Sequence, residues 1–504
     1  MTAVQSQPAF AAFAKTHAAG RPQVVWTTLV ADLETPVSAM LKLGDGVPYS
    51  FLLESVEGGS IRGRYSVIGL KPDVIWRCRR DKAEINRRAR ADLNTFQPVA
   101  EAPLVSLRAL LAETRIDIPA QLPPMAAGLF GYMGYDMVRL MERIPDANPD
   151  PLDLPDGIFM RPSVVVVFDR LEDIAIIITP VWPDSGSDAQ AAYDRARERL
   201  ADVLADFRRS LPYRREAPAT IATAPVPRAN MSPDAFRAMV EKAKEYIRAG
   251  DAFQIVPSQR FAVPFKLPPL ALYRSLRRIN PSPFLFYFDY GDFSIVGSSP
   301  EILVRVRDGI VTVRPLAGTK PRGATPEADK ALADELLADP KERAEHLMLL
   351  DLARNDVGRV AKIGSVRVTE QFVIERYSHV MHMSSHVDGD LDAKYDAIDA
   401  LVAGFPAGTL SGAPKVRAME IIDELEPERR GIYGGCAGYF SANGTMDTCI
   451  CLRTALVKDG VMYVQAGVGV VADSDPQAEF DESINKAKAL VRAAEEAVRF
   501  AADT

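Results

Sequence analysis

The order of strand-like and helix-like segments in the second half of the chain constrains its fold more than any other feature. Runs of strand character, such as Phe284–Phe288 and Cys449–Val457, are mixed with long helix-like runs, such as Pro326–Leu352 and Pro476–Phe500. The two kinds of segment do not alternate regularly, as they do in the βαβ units of a doubly wound parallel sheet. The pattern therefore predicts the α+β class.

A segment rich in proline and alanine divides the chain. At 504 residues the chain exceeds one usual domain of about 100–200 residues. Residues 211–230 show no apolar period; they follow a helix-like run, Asp188–Arg209, and precede Ser232-Pro233, an N-cap residue with proline at the first helical position. We predict an N-terminal domain over 1–210, a linker over 211–230 and a second domain over 231–504.

Composition excludes several classes of partner. The net charge is −7 and no basic arm is present, which argues against nucleic acid, and the basic run Arg77–Arg90 is interpreted as a solvated strand or loop edge. The apolar runs Val164–Phe168 and Ile174–Ile178 are far shorter than a membrane span, and no signal peptide is evident. The four cysteines show no zinc-binding spacing. We expect a cytoplasmic protein with free thiols and no membrane or nucleic-acid partner.

The last helix-like run carries polar residues on one face. Glu479, Glu482 and Lys486 are spaced three and four residues apart, so they share a face of a helix. An exposed face with an intrahelical ion pair is one interpretation. The preceding strand-like segment carries Gly467 and Gly469, where a ligand could approach the backbone. A wall of a binding site is therefore the second interpretation.

A second acidic helix carries Glu342 and Glu345, followed by His346. Two helices that each offer a carboxylate can hold Mg²⁺, which prefers oxygen ligands and keeps water and substrate oxygens in its shell. The spacing alone does not show whether this helix meets the last one. A shared magnesium site is thus one hypothesis and two separate solvated faces are the other.

Three further segments carry residues of chemical interest. Glu301 is either a surface residue at a strand end or an acid in a cleft, and Gly318-Thr319 is either a plain turn or an anion site made of backbone N–H groups. His382 has the side chain of a proton shuttle, although a hydrogen-bonded structural histidine is the commoner case. The glycine-rich segment Gly404–Lys415 runs into a helix and is suited to binding an anion.

Together these segments resemble the chorismate-utilising enzymes, and most closely the family of component I of anthranilate synthase. The resemblance covers residues 228–496, and it is weaker but recognisable in the first part through Leu52-Leu53-Glu54-Ser55 and Gly131–Asp136. It implies an α+β fold with layered, mostly antiparallel sheets flanked by helices and an active-site cleft. It also implies a lyase that converts chorismate and ammonia to anthranilate and pyruvate in tryptophan biosynthesis.

The resemblance also assigns roles to residues. Glu345 and Glu482 look like the Mg²⁺ ligands, with Glu342 and Glu479 nearby. Glu301, His382 and Thr409 match residues that act near the reacting ring carbons. The groups that resemble the chorismate-binding set are Gly318, Thr319, Tyr433, Arg453, Gly467, Val468, Gly469 and Lys486.

Two positions bear on the product. Isochorismate and salicylate synthases place a lysine, the base that activates water, where this chain has Gln254. Aminodeoxychorismate synthases often carry a lysine nucleophile where this chain has Ala317, which cannot form a covalent bond to the ring. Anthranilate is therefore the expected product. Aminodeoxychorismate synthesis and a catalytically silent tryptophan-binding subunit are the alternatives.

The resemblance extends to regulation and to a partner. Ser55, Pro283, Phe284 and Leu285 match segments that line the family's tryptophan pocket, so feedback inhibition by tryptophan is expected. No cysteine lies in a nucleophile elbow, so no glutamine amidotransferase is fused here. A separate glutamine amidotransferase subunit, component II of anthranilate synthase, is the implied source of ammonia.

Overall fold

The computed structural model describes residues 5–55, 63–183, 188–211, 226–377 and 380–502. The described residues form twelve α-helices: α1 Phe10–Ala18, α2 Pro36–Leu43, α3 Pro103–Glu113, α4 Ala189–Phe207, α5 Pro233–Arg248, α6 Pro269–Ile279, α7 Pro326–Ala338, α8 Pro340–Gly358, α9 Ala397–Gly404, α10 Gly408–Ser411, α11 Lys415–Leu425 and α12 Pro476–Ala502.

The strands in the same ranges are β1 Gln23–Val30, β2 Ser50–Glu54, β3 Tyr65–Arg79, β4 Lys82–Asn86, β5 Gln97–Pro98, β6 Gly128–Met133, β7 Gly157–Asp169, β8 Ile174–Val181, β9 Arg228–Ala229, β10 Gln254–Ile255, β11 Ser258–Pro264, β12 Phe284–Asp289, β13 Phe293–Ser299, β14 Ile302–Arg307, β15 Ile310–Val313, β16 Leu316–Pro321, β17 Arg367–Arg376, β18 Val380–Asp390, β19 Gly412–Ala413, β20 Cys436–Ser441, β21 Met446–Ile450, β22 Thr454–Lys458 and β23 Val461–Gly467.

Apart from β10 and β19, which form a separate two-stranded sheet, the strands in these ranges build two antiparallel sheets that share β3 and β7. The first sheet runs β1-β8-β7-β3-β2-β12-β13-β22-β23-β11-β9. The second runs β5-β4-β3-β7-β6-β20-β21-β14-β15-β18, with β16 and β17 also paired to β18. The register of β3 on β7 shifts between Pro72 and Val74, where both strands pass from one sheet to the other.

The two sheets pack face to face and helices cover both outer faces. Aromatic side chains fill the space between the sheets, and the rings of Phe51 and Phe130 stack with their centroids 4.6 Å apart. Helices α1, α2, α4, α6 and α12 bury their apolar faces on the first sheet. Helices α3, α8, α9, α10 and α11 do so on the second. The predicted α+β class, with layered antiparallel sheets flanked by helices, is confirmed.

Strands from both sides of the predicted linker pair directly. β2 pairs with β12, and β6 pairs with β20. Of the linker 211–230, residues 212–225 lie outside the described residues. The boundaries 1–210 and 231–504 therefore stay a prediction.

Two elements differ from expectation. The run Pro326–Leu352 forms two helices, because Pro340 cannot continue a helix and the Asp339 side chain instead accepts the N–H groups of Lys341 and Glu342, at 2.9 and 3.2 Å, as the N-cap of α8. The predicted strand Cys449–Val457 is broken between β21 and β22. None of the helices in the described ranges combines the length and the apolar character needed to cross a bilayer.

Candidate active site

A cavity of about 900 Å³ lies where the ends of β16, β18 and β23 meet α8, α10 and α12. Twelve of the thirteen residues predicted to act in catalysis, chorismate binding or metal binding line it: Glu301, Gly318, Thr319, Glu345, His382, Thr409, Tyr433, Arg453, Gly467, Gly469, Glu482 and Lys486. Val468 is the exception. Its side chain packs in the core against α5, and its N–H donates to the carbonyl of Pro257 at 3.0 Å.

Glu301 is a buried carboxyl group at the back of the cavity. It lies in the short connection between β13 and β14, and its side chain is closed off from solvent by the surrounding strands. One oxygen accepts the hydroxyl of Thr409 at 3.1 Å and the N–H of Leu316 at 3.4 Å. Burial raises the pKa of Glu301 to about 8. The carboxyl therefore carries a proton at neutral pH and can act as an acid.

His382 presents a free ring nitrogen to the same cavity. Its Nδ1 lies 3.1 Å from the carbonyl of Gly318 and 3.0 Å from the hydroxyl of Thr319. A carbonyl only accepts, so Nδ1 carries the hydrogen and Nε2 keeps its lone pair. Nε2 is buried and has no partner among the described residues. Burial, followed by the charge of Arg453, lowers the pKa of His382 to about 4, so the ring is neutral and can accept a proton.

Arg453 occupies the break between β21 and β22. Its backbone has a φ of 49°, in the left-handed region, and its carbonyl accepts the N–H of Ser298 at 3.2 Å. At the break the chain changes its partner strands, since β21 pairs with β14 and β20 whereas β22 pairs with β13 and β23. Arg453 therefore lies on the cavity wall instead of in a continuous strand. Its charge acts on both Glu301 and His382 and lowers the pKa of each. A guanidinium at this point can form a two-pronged hydrogen bond with a substrate carboxylate.

Small residues keep part of the wall open. Gly318 has a φ of 69°, and a Cβ there would lie 2.8 Å from the Glu342 carboxylate. A Cβ on Gly467 would lie 2.7 Å from the hydroxyl of Tyr433. Backbone groups at these points can therefore approach a ligand that a larger side chain would exclude.

The carboxylates of α8 and α12 face the same space. Glu342 and Glu345 come from α8, and Glu479 and Glu482 come from α12. Burial raises the pKa of Glu345, and the charge of Glu482 adds to that rise. On α12 the ammonium of Lys486 lies 2.7 Å from Glu482 and donates to the carbonyl of Gly467 at 3.1 Å. The intrahelical ion pair and the site wall, the two interpretations of this face, therefore coexist.

Glu345 and Glu482 fit the needs of Mg²⁺. No group of three or more candidate protein ligands comes together in the described ranges. Two carboxylates are nonetheless the number that Mg²⁺ takes in many sites, where water and substrate oxygens complete its octahedral shell. The charge of Glu482 contributes to the raised pKa of Glu345, after burial, so the two carboxylates are close enough to interact. Lys341 and Lys486 are nearby positive charges.

The residues predicted for tryptophan binding lie together and do not line this cavity, although Pro283 directly follows Ser282, which does. Leu285 on β12 pairs with Glu54 on β2, and Ser55 follows Glu54 directly. Leu285 is buried, while Phe284 and Ser55 are partly exposed. The buried carboxylate of Glu54 accepts the hydroxyl of Tyr273 at 2.6 Å and the Nε of Arg277 at 2.7 Å. Pro283, Phe284, Leu285 and Ser55 thus share one end of the β2–β12 pair.

Sequence reasoning missed three parts of the cavity. Gln254, considered only for nucleophile choice, donates its amide to Glu345. Tyr377 lines the wall, and its ring lies edge-on to His382 with centroids 5.5 Å apart. Residues 280–282, which directly precede the Pro283–Leu285 segment expected to bind tryptophan, line the active-site cavity. This adjacency in the sequence could have predicted that the Pro283–Leu285 segment borders the active-site cavity.

Comparisons with known proteins identify the family of this chain. The family model described as chorismate binding enzyme matches residues 68–492. Anthranilate synthase component 1 from Cereibacter sphaeroides is 61% identical over 98% of each chain, and that from Pseudomonas putida is 50% identical over 92% of this chain and 93% of its own. The crystal structure of anthranilate synthase component I from Streptococcus pneumoniae superposes with a TM-score of 0.75 at 38% identity, covering 87% of this chain and 94% of that one. This chain therefore belongs to the chorismate binding enzyme family, and within it to the anthranilate synthase component 1 group.

Proposed function

We propose that this chain converts chorismate and ammonia to anthranilate and pyruvate. One observation carries the proposal: a protonated carboxyl, Glu301, and a neutral imidazole, His382, line the same cavity. An amination that expels a hydroxyl group needs an acid, and the following elimination needs a base. The relatives of this chain that are named anthranilate synthase component 1 support the same reaction.

Substrate binding rests on the cations of the wall. Chorismate is a dianion, so its burial requires fixed positive partners. Arg453 can hold one carboxylate through its guanidinium fork, and Lys486 lies on α12 within the same cavity. Tyr433 and the backbone around Gly318 and Gly467 complete the binding surface.

The first step needs an acid at the leaving hydroxyl. Ammonia attacks the ring carbon beside the carboxylate, the double bond shifts, and the 4-hydroxyl departs with a proton from Glu301. Hydroxide is a poor leaving group, so this proton lowers the barrier. The hydrogen bonds from Thr409 and Leu316 hold the Glu301 carboxyl in place for the transfer.

The second step needs a base. The proton on the aminated ring carbon leaves, and the bond between the ring carbon and the ether oxygen breaks, which makes the ring aromatic. The departing enolpyruvate takes up a proton at its methylene carbon and becomes pyruvate. Nε2 of His382 has the free lone pair that can accept this proton. A bound dianion beside the ring raises its pKa and so increases its strength as a base.

Mg²⁺ is the cofactor that we propose for this site, held by Glu345 and Glu482. When bound, the ion neutralises a substrate carboxylate and fixes its orientation. Glu342 and Glu479 lie near enough to contribute through water or through hydrogen bonds.

Gln254 supports ammonia as the nucleophile. Its side chain is almost fully buried, and it donates to Glu345 while its Oε1 has no partner among the described residues. A buried acceptor without a donor favours a ligand that carries N–H groups. A neutral amide also offers no base that could activate water.

We further propose that a separate glutamine amidotransferase subunit supplies the ammonia in the cytoplasm and that tryptophan inhibits the enzyme at Ser55, Pro283, Phe284 and Leu285. The relatives are named component 1, which supports the existence of a second component. The adjacency of residues 280–282 to the Pro283–Leu285 segment supports a path from the inhibitor to the active site.

An assay of the purified chain with chorismate, Mg²⁺ and ammonium at alkaline pH tests the proposal. Fluorescent anthranilate should appear, together with an equal amount of pyruvate. Aminodeoxychorismate that accumulates without anthranilate would assign the chain to the folate-type reaction. Tryptophan binding without any turnover of chorismate would make it a silent regulatory subunit.

A further inference from the structure

The basic run Arg77–Arg90, interpreted from the sequence as a solvated edge, ends beside a second cavity. This cavity has a volume of about 730 Å³ and lies between the bend of β3, the segment after β4 and one face of α4. It shares no lining residue with the active-site cavity. Its volume lies within the range of about 300–1,000 Å³ that is usual for small-molecule sites.

Four cations line this second cavity: Lys71, Arg90, Arg195 and Arg199. In the described ranges none of the four forms an ion pair with a carboxylate. Arg195 and Arg199 stand four residues apart on α4, a spacing at which like charges repel each other. The fold therefore brings these four cations together despite their electrostatic repulsion.

The carboxylates of the lining do not neutralise these cations. Asp92 accepts the N–H of Asn94 at 2.9 Å and the hydroxyl of Thr95, so its oxygens are engaged within their own turn. Glu198 and Asp202 are exposed on α4 and form no ion pair with Arg199 within the described ranges. Four cations thus face three carboxylates, one of which is internally bonded.

Arg199 is the most buried of the four cations. It is partly buried, and its Nε donates to the hydroxyl of the fully buried Thr179 at 2.6 Å, which fixes the guanidinium in the wall. Burial, with the charges of Arg90 and Arg195, lowers its pKa to about 10. The charges of Asp73 and Glu198 oppose this fall, but neither carboxylate forms an ion pair with Arg199 in the described ranges. An anion bound in the cavity would therefore still lower the cost of burying this guanidinium.

The backbone beside the cluster is held in an unusual conformation. Lys71 has a φ of 51°, in the left-handed region, at the point where β3 shifts its register on β7. The hydroxyl of Ser163 donates to the Lys71 carbonyl at 2.6 Å and keeps the residue there. Residues held in sparsely populated backbone conformations concentrate at binding sites, because the surrounding structure must maintain them for a reason.

We infer that this cavity binds a small anion with two or more negative charges, either a phosphate ester or a polycarboxylate. Guanidinium groups recognise both chemistries through paired hydrogen bonds. The concave shape favours a small molecule over an acidic protein surface, because Arg199 is partly buried in the cavity wall.

Isothermal titration of the full chain, without Mg²⁺, tests the site with two probes, pyrophosphate and citrate. We expect saturable binding of at least one probe. The double variant Arg90→Gln, Arg195→Gln and the single variant Arg199→Gln should each weaken it by about tenfold or more, because each loses charge-assisted hydrogen bonds. The probe that binds more tightly distinguishes phosphate from carboxylate recognition. Because Arg90 and Arg195 are exposed, their double variant should fold normally and still tests the site if Arg199→Gln folds poorly.

Two controls separate this site from other effects. Arg208→Gln, an exposed arginine at the end of α4 that does not line the cavity, should bind as the parent chain does. Arg453→Gln removes a cation of the active site and should leave this binding intact. Absence of saturable binding, or binding that only Arg453→Gln abolishes, would overturn the inference. Anthranilate formation without the probes should be equal in the Arg90→Gln, Arg195→Gln variant and the parent.

Discussion

The Nε2 of Gln254 donates a hydrogen bond of 3.0 Å to the carboxylate of Glu345, which joins the residue expected to discriminate between nucleophiles to a proposed ligand of Mg²⁺. The two residues come from β10 and α8, far apart in the chain. The proposed choice of nucleophile and the proposed metal site would thereby be linked through one amide.

Replacement of Gln254 by lysine tests this link. A lysine here would pair with Glu345 and put a cation where ammonia is expected to bind, so ammonia-dependent formation of anthranilate should fall by about tenfold or more. The fluorescence assay measures the rate. Gln254→Met removes the hydrogen bond without adding charge and should retain more activity. Equal losses in the two variants would show that charge is irrelevant at this position.

Glu301→Gln should lower kcat by about 10²–10⁴, the usual contribution of a general acid. The amide keeps the shape of the side chain and can accept the Thr409 and Leu316 hydrogen bonds, but it has no acidic proton. The KM for chorismate should change only a few-fold. A kcat close to that of the parent would remove Glu301 from the mechanism.

The pH dependence of kcat follows from the same carboxyl group. With a pKa of about 8, Glu301 is protonated below that pH and loses its proton above it. Once rates are corrected for the fraction of free ammonia, kcat should fall as the pH rises through about 8. The residual activity of Glu301→Gln should lack this fall. A corrected profile that stays level to higher pH would contradict the assignment.

Glu482→Gln should raise the Mg²⁺ concentration required for half-maximal activity by about tenfold or more, since it removes one of two proposed anionic ligands. Binding of Mn²⁺, followed by its electron paramagnetic resonance signal, provides a readout independent of turnover. Asp481→Asn is the matched control, because Asp481 is exposed on α12 and does not line the cavity. Similar metal affinities in both variants would rule out Glu482 as a ligand.

Ser55→Phe should relieve inhibition by tryptophan with little effect on the uninhibited rate. Ser55 stands at the end of β2 beside Leu285, so a phenyl ring would occupy the proposed pocket while the active-site cavity stays unchanged. Inhibition curves and calorimetric binding of tryptophan measure the effect. Unchanged inhibition in a correctly folded variant would place the inhibitor elsewhere.

Arg430→Met should destabilise the protein by about 3–5 kcal/mol, because it leaves a buried carboxylate without its partner. Arg430 lies 2.6 Å from Glu426 and also donates to the carbonyl of Leu410 at 2.6 Å, and both side chains are almost fully buried. Unfolding in urea, followed by circular dichroism, gives the free energy. Arg208→Gln on the surface should change it by less than about 0.5 kcal/mol.

Local patterns predicted the elements better than their ends. The helix at α12 and the strand at β12 follow from the apolar period over Pro476–Phe500 and Phe284–Phe288. The break at Arg453 was not predicted from the sequence. The left-handed backbone of Arg453 is stabilised by pairing with β13, which lies far away in the chain. Val468, which was predicted to bind chorismate, does not line the cavity for a similar reason. Its backbone N–H donates to the carbonyl of Pro257, which lies far away in the chain, and is not available to a ligand.

The sequence by itself determined the α+β class and, through its resemblance to the chorismate-utilising enzymes, the chemistry expected of Glu301, His382 and Arg453. Only the tertiary structure decided that Glu345 and Glu482 face one cavity and that Gln254 bonds to Glu345. It also decided the protonation of Glu301 and His382, since burial sets both pKa values. Residue type and spacing specify which groups a chain carries, whereas distance and desolvation, which control their chemistry, arise only when distant segments pack together.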